Sequence, residues 1–271
     1  MLYDTGEYVF SRNSASILAL QNNNIHLWTI DPQAVNETSV LNSLKNLLPP
    51  AEIERINRYR FPKAQHTALI TRAFVRLVLS QYAQTAPQDW LFTISEHGKP
   101  ELKNAPFALR FNLSHNDNLV ICSVCLNHDI GCDVESLSRK ISVEAISKRY
   151  FSASEYQNIK KLAPELQRAG FFEYWTLKEA FVKATGFGIS QGLDTFSFEI
   201  GQAEPRKFND NISLSFSPKS PVQNNQDWYS CLTYPDQTHC VAICINSGQL
   251  KHDFKLDIFS ASELLSVFNG A

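Results

Sequence analysis

The chain has 271 residues, a formal net charge of −2 and a hydrophobic fraction of 44%. This length allows one domain or two, each with a buried core. The charged residues, 19% of the chain and nearly balanced in sign, argue against a general nucleic-acid binder and against a protein drawn to membrane surfaces.

Targeting signals are not evident in the sequence. Residues 1–24 lack the basic start, apolar run and small-residue cleavage site of a secretory signal, and no stretch reaches about 18 uninterrupted apolar residues. Six cysteines in a chain of this length need not form a disulfide framework. We therefore expect a cytoplasmic protein without a membrane span.

The first part of the chain predicts a strand followed by two helices. Residues 25–30 alternate in polarity and are rich in β-formers. Pro50 opens a helix that should end before the Phe61-Pro62 pair, and a second helix is expected over residues 64–82. Six basic residues and no acidic ones occur between residues 55 and 88, which indicates an anionic partner: Arg55, Arg58, Arg60, Lys63, Arg72 and Arg76.

Three strands are predicted next, over residues 92–95, 109–113 and 119–126, with a turn at 96–100. The third contains Cys122 and Cys125, whose spacing also occurs in zinc and redox motifs. Residues three apart on a strand point to opposite faces, and a chelating pair would need a turn. The pattern therefore favours two buried structural cysteines over a metal or redox site.

A further strand should begin at Ile130, followed by helices and then by a second set of strands. The helices are expected over 144–150, 153–162 and 166–185, the last ending at Gly186. The strands are expected over 195–200, 212–216, 228–232 and 240–245, and a tail helix over 262–268 should pack on the body.

The two halves of the sequence resemble each other. The segment Arg72-Ala-Phe-Val-Arg76 has a counterpart in Glu179-Ala-Phe-Val-Lys183, and the strand at 119–124 has one at 240–245, in the same order. This predicts an internal duplication of an α+β unit with its boundary near residues 127–130. A cleft between two such halves is a natural binding site.

The segment Ile130-Gly-Cys-Asp-Val-Glu-Ser136 places Asp133 and Glu135 two residues apart on a predicted strand. They then project from the same face and repel each other. A hard cation such as Mg²⁺, which prefers oxygen ligands, would neutralise a buried pair of this kind. The alternative is a solvated edge strand with two ordinary acids, and this short pattern leaves both open.

Trp175, Glu179 and Lys183 lie four residues apart on the predicted long helix and so share one stripe. An ordinary surface ion pair between Glu179 and Lys183 would contribute only about 0.3–0.5 kcal/mol. Alternatively, Glu179 could complete a three-carboxylate magnesium site, with Lys178 and Lys183 neutralising phosphate oxygens.

The segment Phe111-Asn-Leu-Ser-His-Asn116 ends an apolar strand in small polar residues that could bind a phosphate and stack on a base. A serine hydrolase would need Ser114 between the glycines of a Gly-x-Ser-x-Gly elbow, and neither flank supplies them.

These segments, together with Gly98-Lys-Pro100, resemble the Sfp-type 4'-phosphopantetheinyl transferase family in order, spacing and residue types. The resemblance covers about residues 25–245. The signature is a G-x-D-x-E strand, here Gly131 to Glu135, followed by a W-x-x-K-E-A-x-x-K helix, here Trp175 to Lys183. The resemblance implies an α+β fold of two pseudo-twofold related α/β halves, which we place at residues 1–127 and 128–271. It also implies that coenzyme A binds between the halves and that a monomer suffices.

The resemblance further implies roles for particular residues. Asp133, Glu135 and Glu179 would hold Mg²⁺ on the pyrophosphate of coenzyme A, and Lys178 and Lys183 would bind phosphate oxygens. The 3'-phosphoadenosine end would contact Lys99, Ser114 and His115. The serine hydroxyl of an apo acyl or peptidyl carrier protein would attack the β-phosphorus and release 3',5'-ADP, with Glu179 and Lys183 as the catalytic pair and Glu179 as the candidate base.

One part of the family pattern is altered. Members often carry Arg or Lys just before the second helix, where this chain has His66-Thr67. Among the basic residues of the first helix we choose Arg60 as the phosphate contact. Two other functions stay open at this point, namely a coenzyme A binding module without transfer activity and a metal-dependent phosphohydrolase.

Overall fold

The computed structural model describes residues 17–222, 228–248 and 254–266. Within them the chain has the predicted mixed α+β architecture. The first half contains, in chain order, β1 (Asn24–Ile30), α1 (Thr38–Asn46), α2 (Pro50–Asn57), α3 (Pro62–Leu79), β2 (Phe92–Ile94), β3 (Pro100–Leu102), β4 (Leu109–His115) and β5 (Val120–Leu126). The remainder contains β6 (Ile130–Ser136), α4 (Val143–Tyr150), α5 (Ala153–Lys161), α6 (Pro164–Thr185), β7 (Phe196–Ile200), β8 (Ile212–Phe216), β9 (Trp228–Thr233), β10 (His239–Asn246), β11 (Lys255–Ser260) and α7 (Ser262–Ser266).

The two halves share one topology. Each starts with a strand, continues through helices and a small hairpin, and returns with two strands that pair beside the first. The resulting sheets have the orders β1-β5-β4 and β6-β10-β9, while β2-β3 and β7-β8 are the small hairpins. The repeated sequence segments at 72–76 and 179–183 lie at equivalent places, in α3 and α6.

Three apolar clusters fill the space between the layers. The first packs α3 onto the sheet of the first half, and the second packs α6 onto the sheet of the second half. The third joins the opposite faces of the two sheets, with Ile25 and Ile121 on one side and Val134 and Ile243 on the other. The order of layers is therefore helix, sheet, sheet, helix, and the two sheets cannot separate without exposing a core.

The strand β11 belongs to the first sheet, although the division at residue 127 placed it in the second half. It pairs in parallel with β1, and Phe259 stacks on Trp28 with a centroid distance of 4.7 Å. Sequence reasoning missed β11 as well as α1 and β3. The predicted tail helix begins at Ser262 as expected, and its last two residues lie outside the described part of the chain.

The cysteine pair of β5 behaves as predicted. The Cys122 side chain lies in the first cluster and the Cys125 side chain between the sheets, on opposite faces of the strand. All six cysteines are described, and all are buried free thiols. None of the helices in the described residues is both long and apolar enough to span a bilayer.

Candidate active site

Gly131 lets α6 approach β6 more closely than any other residue would. A Cβ atom at this position would lie 2.0 Å from the carbonyl oxygen of Ala180 and 2.3 Å from the amide nitrogen of Ala184. Residues two apart on a strand share a face, so Asp133 and Glu135 lie on the face that α6 covers. The missing side chain thus brings the acids of the strand next to Glu179 and Lys183 of the helix.

Asp133 is the best-connected acid of this group. One carboxylate oxygen accepts hydrogen bonds from Lys183 Nζ and from Ser114 Oγ, both at 2.7 Å. Lys183 also donates to Ser114 Oγ at 2.9 Å and to the Cys132 carbonyl at 3.2 Å. Burial by itself would lower the pKa of Lys183, but Asp133, Cys132 and Glu179 together outweigh it and the pKa rises. Lys183 is therefore a fixed cation at this point.

The pKa values of Glu179 and Glu135 are both raised above the ordinary value of a glutamate. Burial, and then the neighbouring Asp133 carboxylate, raise the pKa of Glu179 from 4.5 to about 7, against the opposing effect of Lys183. Burial and Asp133 also raise the pKa of Glu135, although Arg139 donates to both of its oxygens at 3.0 Å. A carboxyl group with a pKa near neutrality is suited to accept a proton.

The three carboxylates fit a divalent cation in charge and donor type. The second oxygen of Asp133 is buried and has no hydrogen-bond partner in the described residues. Burial first, and then the neighbouring Asp133 carboxylate, raise the pKa values of Glu135 and Glu179, and a bound cation would offset both effects. As the side chains stand, however, no three acidic, His or Cys groups in the described ranges converge closely enough to enclose an ion.

A cavity of about 1180 Å³ opens beside this cluster, between α2, α3 and the ends of β2, β3 and β4. His115 lines it, and the proximity of Lys183 adds to burial in lowering the pKa of this imidazole. The arginine and lysine residues that line the cavity are Arg55, Lys63, Arg72 and Arg76. The cavity is large enough for a nucleotide-sized ligand, and His115 is the lining residue next to the acid cluster.

Arg60, which we had chosen as the phosphate contact, does not line this cavity. It lies beyond the end of α2, where its guanidinium stacks over the exposed Phe61 ring at 5.6 Å. Of the residues that do line the cavity, Lys63 pairs with Asp117 at 2.8 Å, whereas Arg55 forms no ion pair with a described acid. Arg55 is therefore better placed than Arg60 for an anionic group.

The predicted phosphate contact at Lys178 is wrong. Its side chain is fully buried, with Nζ 2.8 Å from a carboxylate oxygen of the equally buried Glu155, and it donates to the carbonyls of Leu193 and Phe196. Neighbouring helix residues point about 100° apart, so Lys178 and Glu179 cannot face the same site. Lys178 instead joins α6 to α5 and to the segment before β7.

Removing the Lys178 ammonium should destabilise the fold. We expect Lys178→Met to lower the free energy of unfolding by about 3–5 kcal/mol, because Glu155 would remain as an unpaired buried charge. Urea unfolding would measure the change, with the exposed Lys161→Met on α5 as a control near zero. Unchanged stability together with a raised KM for coenzyme A would restore the phosphate-binding role.

Lys99 contacts the backbone of the second half, and its contact with coenzyme A stays a prediction. Its ammonium donates to the carbonyls of Ile130 and Ala184, each at 3.1 Å, so two of its three hydrogens are occupied by backbone. Lys99 fastens the β2-β3 hairpin to the start of β6 and to the C-terminal end of α6.

Sequence reasoning missed two further residues of this region. Glu155 completes a capping box with Ser152, a four-residue signal that is readable from the sequence. Asn112 is buried and accepts a hydrogen bond from the amide of Cys132 at 2.9 Å. No local sequence pattern predicts the contact between Asn112 and Cys132, because the two residues lie in different sheets.

Two family models match separate parts of the chain. The family model described as the 4'-phosphopantetheinyl transferase superfamily matches residues 129–244, and the one described as 4'-phosphopantetheinyl transferase, N-terminal, matches residues 36–126. Together the matched ranges include Ser114, Asp133 and Glu179.

Relatives of known sequence are similar over much of the chain. The 4'-phosphopantetheinyl transferase HetI of Nostoc sp. is 35% identical over 209 residues, which cover 76% of this chain and 87% of HetI. The 4'-phosphopantetheinyl transferase Sfp of Bacillus subtilis is 34% identical over 157 residues, or 58% of this chain and 68% of Sfp.

Among solved structures, the holo-[acyl-carrier-protein] synthase of Thermotoga maritima gives a weak partial likeness. It covers 43% of this chain and 61% of its own, with 20% sequence identity and a TM-score of 0.33. The sequence matches carry the assignment and confirm the predicted family. The chain belongs to the 4'-phosphopantetheinyl transferase superfamily.

Proposed function

We propose that this protein transfers the 4'-phosphopantetheine group of coenzyme A to a serine of an apo acyl or peptidyl carrier protein. The observation that carries the proposal is the cluster in which Lys183 and Ser114 bond to Asp133 while Glu179, with a pKa of about 7, lies beside them. Superfamily membership supports the same reaction. As further parts of the proposal, the enzyme is cytoplasmic, works as a monomer and uses Mg²⁺.

Each residue has a task in this reaction. Glu179 takes the proton of the carrier serine, because its carboxylate lies beside Asp133 and Lys183 at the proposed reacting centre. The serine oxygen forms a bond to the β-phosphorus of coenzyme A, and the bond from that phosphorus to the bridging oxygen breaks. The leaving group is 3',5'-ADP, and Lys183 offsets negative charge on the phosphoryl oxygens.

Asp133, Glu135 and Glu179 would hold the magnesium ion, which when bound supplies charge neutralisation at the diphosphate. The cavity beside His115 would receive the nucleotide end, with Arg55 close to its phosphate groups. Ser114 would also contact that end. Its hydroxyl bonds to both Asp133 and Lys183 and so holds the two side chains together. Lys178 bonds to Glu155 and to backbone instead, whereas Lys99 would use its third hydrogen at the 3'-phosphoadenosine end.

The test is direct transfer. The purified protein is incubated with coenzyme A, Mg²⁺ and apo carrier proteins from several biosynthetic systems, and each carrier is weighed by mass spectrometry. We expect a gain equal to one phosphopantetheine on at least one carrier and none on its Ser→Ala variant. The proposal fails if no carrier gains mass, and release of 3',5'-ADP without a carrier would indicate a phosphohydrolase instead.

A further inference from the structure

The strand β6 lies at the edge of its sheet, and its outer side faces β4, the edge strand of the other sheet. The carbonyl of Asp129 accepts a hydrogen bond from Asn246 at the end of β10. Since the direction of backbone groups alternates along a strand, Ile130 and Cys132 direct theirs away from β10, toward β4. We call this junction of β4 and β6 the seam.

Side chains, rather than a strand ladder, satisfy the backbone of β6 along the seam. The Ile130 carbonyl accepts from Lys99 at 3.1 Å, and the Cys132 carbonyl accepts from Lys183 at 3.2 Å. Between them, the Cys132 amide donates to the side-chain oxygen of Asn112 at 2.9 Å. The Cys132 thiol also donates to the Asn112 carbonyl at 3.4 Å. Asn112 is 3% exposed, so water cannot readily replace it.

The contact between Asn112 and Cys132 lies next to the reacting groups. Asn112 precedes Ser114 by two residues on β4 and so shares its face, and Cys132 immediately precedes Asp133 on β6. The bond from Cys132 to Asn112 requires one particular stagger of β4 against β6. The same stagger places Ser114 Oγ 2.7 Å from Asp133. With no ladder along the seam, the Asn112 side chain is one of the few direct bonds between β4 and β6, beside the bond from Ser114 to Asp133.

We propose that Asn112 is a positioning residue of the transfer site, acting through the Cys132 amide to hold Ser114 against Asp133 and Lys183. Without its oxygen, the Cys132 amide would be buried with no acceptor, and the strands would shift to find one. A displacement of about 1 Å at a reacting centre costs about 10²-fold in rate. The inference rests on the proposed transfer activity.

The first measurement is transfer kinetics. We expect Asn112→Ala to lower kcat about 10²-fold and to raise the KM for coenzyme A by a smaller factor, because Ser114 also contacts that substrate. If Asn112 acts through Ser114, the double variant with Ser114→Ala should be no slower than the slower single variant. Asn112→Asp, which keeps an acceptor oxygen, should lose less activity than Asn112→Ala.

The matched control is Asn209→Ala. Asn209 is also buried and bonds to backbone, with its amide donating to Gly201 at 3.0 Å, but it lies in the loop before β8, outside the site. We expect this variant to unfold at a lower temperature with kcat unchanged. Equal losses of kcat in Asn112→Ala and Asn209→Ala would overturn the positioning role.

A second readout does not depend on activity. Hydrogen exchange of the Cys132 amide, followed by NMR, should become faster in Asn112→Ala and stay slow in Asn209→Ala. Unchanged exchange, or losses of kcat that simply add in the double variant, would refute the inference. Faster exchange in a protein whose wild type transfers nothing would support the seam contact and overturn only the proposed function.

Discussion

Glu179→Gln should abolish most of the transfer activity while leaving the fold intact. The substitution removes the group that we propose as base and as cation ligand, and general base catalysis alone contributes about 10²–10⁴-fold. We therefore expect kcat to fall by about that factor or more, as measured by carrier mass gain. Glutamine has nearly the same shape, so α6 should keep its place on β6.

The control for this variant is on the same helix. Glu173 is also partly buried, burial likewise raises the pKa of its carboxyl, and Tyr234 donates to it at 2.6 Å. Glu173→Gln should therefore keep kcat close to that of the wild type. If both variants lost activity equally, the effect would come from disturbing α6 and not from the chemistry of Glu179.

Glu179→Gln should also change the stability of the protein, in a way that depends on pH. Here the variant gains stability although it loses activity. In the absence of divalent cations, the folded protein holds the Glu179 proton more tightly than the unfolded chain does, because the pKa is raised from 4.5 to about 7. The Glu179 contribution to stability is therefore greatest below pH 4.5, decreases as the pH rises to about 7 and is then constant. Glutamine cannot ionise, so Glu179→Gln should be more stable than the wild type at pH 8.

Thermal unfolding in a chelator and in Mg²⁺ would measure this effect. The difference between variant and wild type should shrink toward pH 4.5 in the chelator. A cation that binds the folded carboxylates should stabilise the wild type more than Glu179→Gln. An equal effect of Mg²⁺ on both proteins would remove Glu179 from the set of proposed ligands.

The sequence predicted the elements that carry the site because its patterns there are local. Alternation around Asp133 and Glu135 predicts a strand with both acids on one face, and the spacing of Glu179 and Lys183 predicts one helical stripe. The end of α6 at Gly186 was also predicted, and its φ of +72° is a conformation that glycine adopts without strain. Such features can be predicted from the periodicity of one helix or one strand alone.

The surroundings of Lys178 and Lys99 could not be predicted from the motif. A motif gives the order of residues but not the direction of a side chain. Lys178 points into a buried pair with Glu155, and Lys99 is held by two carbonyls. Helix geometry alone would have separated Lys178 from Glu179, whereas the partners of Lys99 depend on how the two halves pack.

Replacing Gly131 by alanine should damage the protein more than any other single methyl group added at a described position of the site. The new Cβ would lie 2.0 Å from the Ala180 carbonyl oxygen and 2.3 Å from the Ala184 nitrogen, both of them backbone atoms of α6. A rigid helix cannot rotate these atoms away, so α6 must move off the strand and open the second core cluster. We expect a loss of at least about 5 kcal/mol in the free energy of unfolding.

Gly170→Ala is the matched control because Gly170 is on the same helix. Its Cβ would meet only the end of the Leu162 side chain, at 2.5 Å, and that side chain can turn aside. Alanine also favours a helix over glycine by about 1 kcal/mol, so we expect little net change. Urea unfolding of both variants would measure the difference, and any folded Gly131→Ala should transfer poorly, since Glu179 and Lys183 would have moved away from Asp133. Similar stabilities for the two variants would show that the close packing of α6 on β6 does not hold the acids and the lysine together.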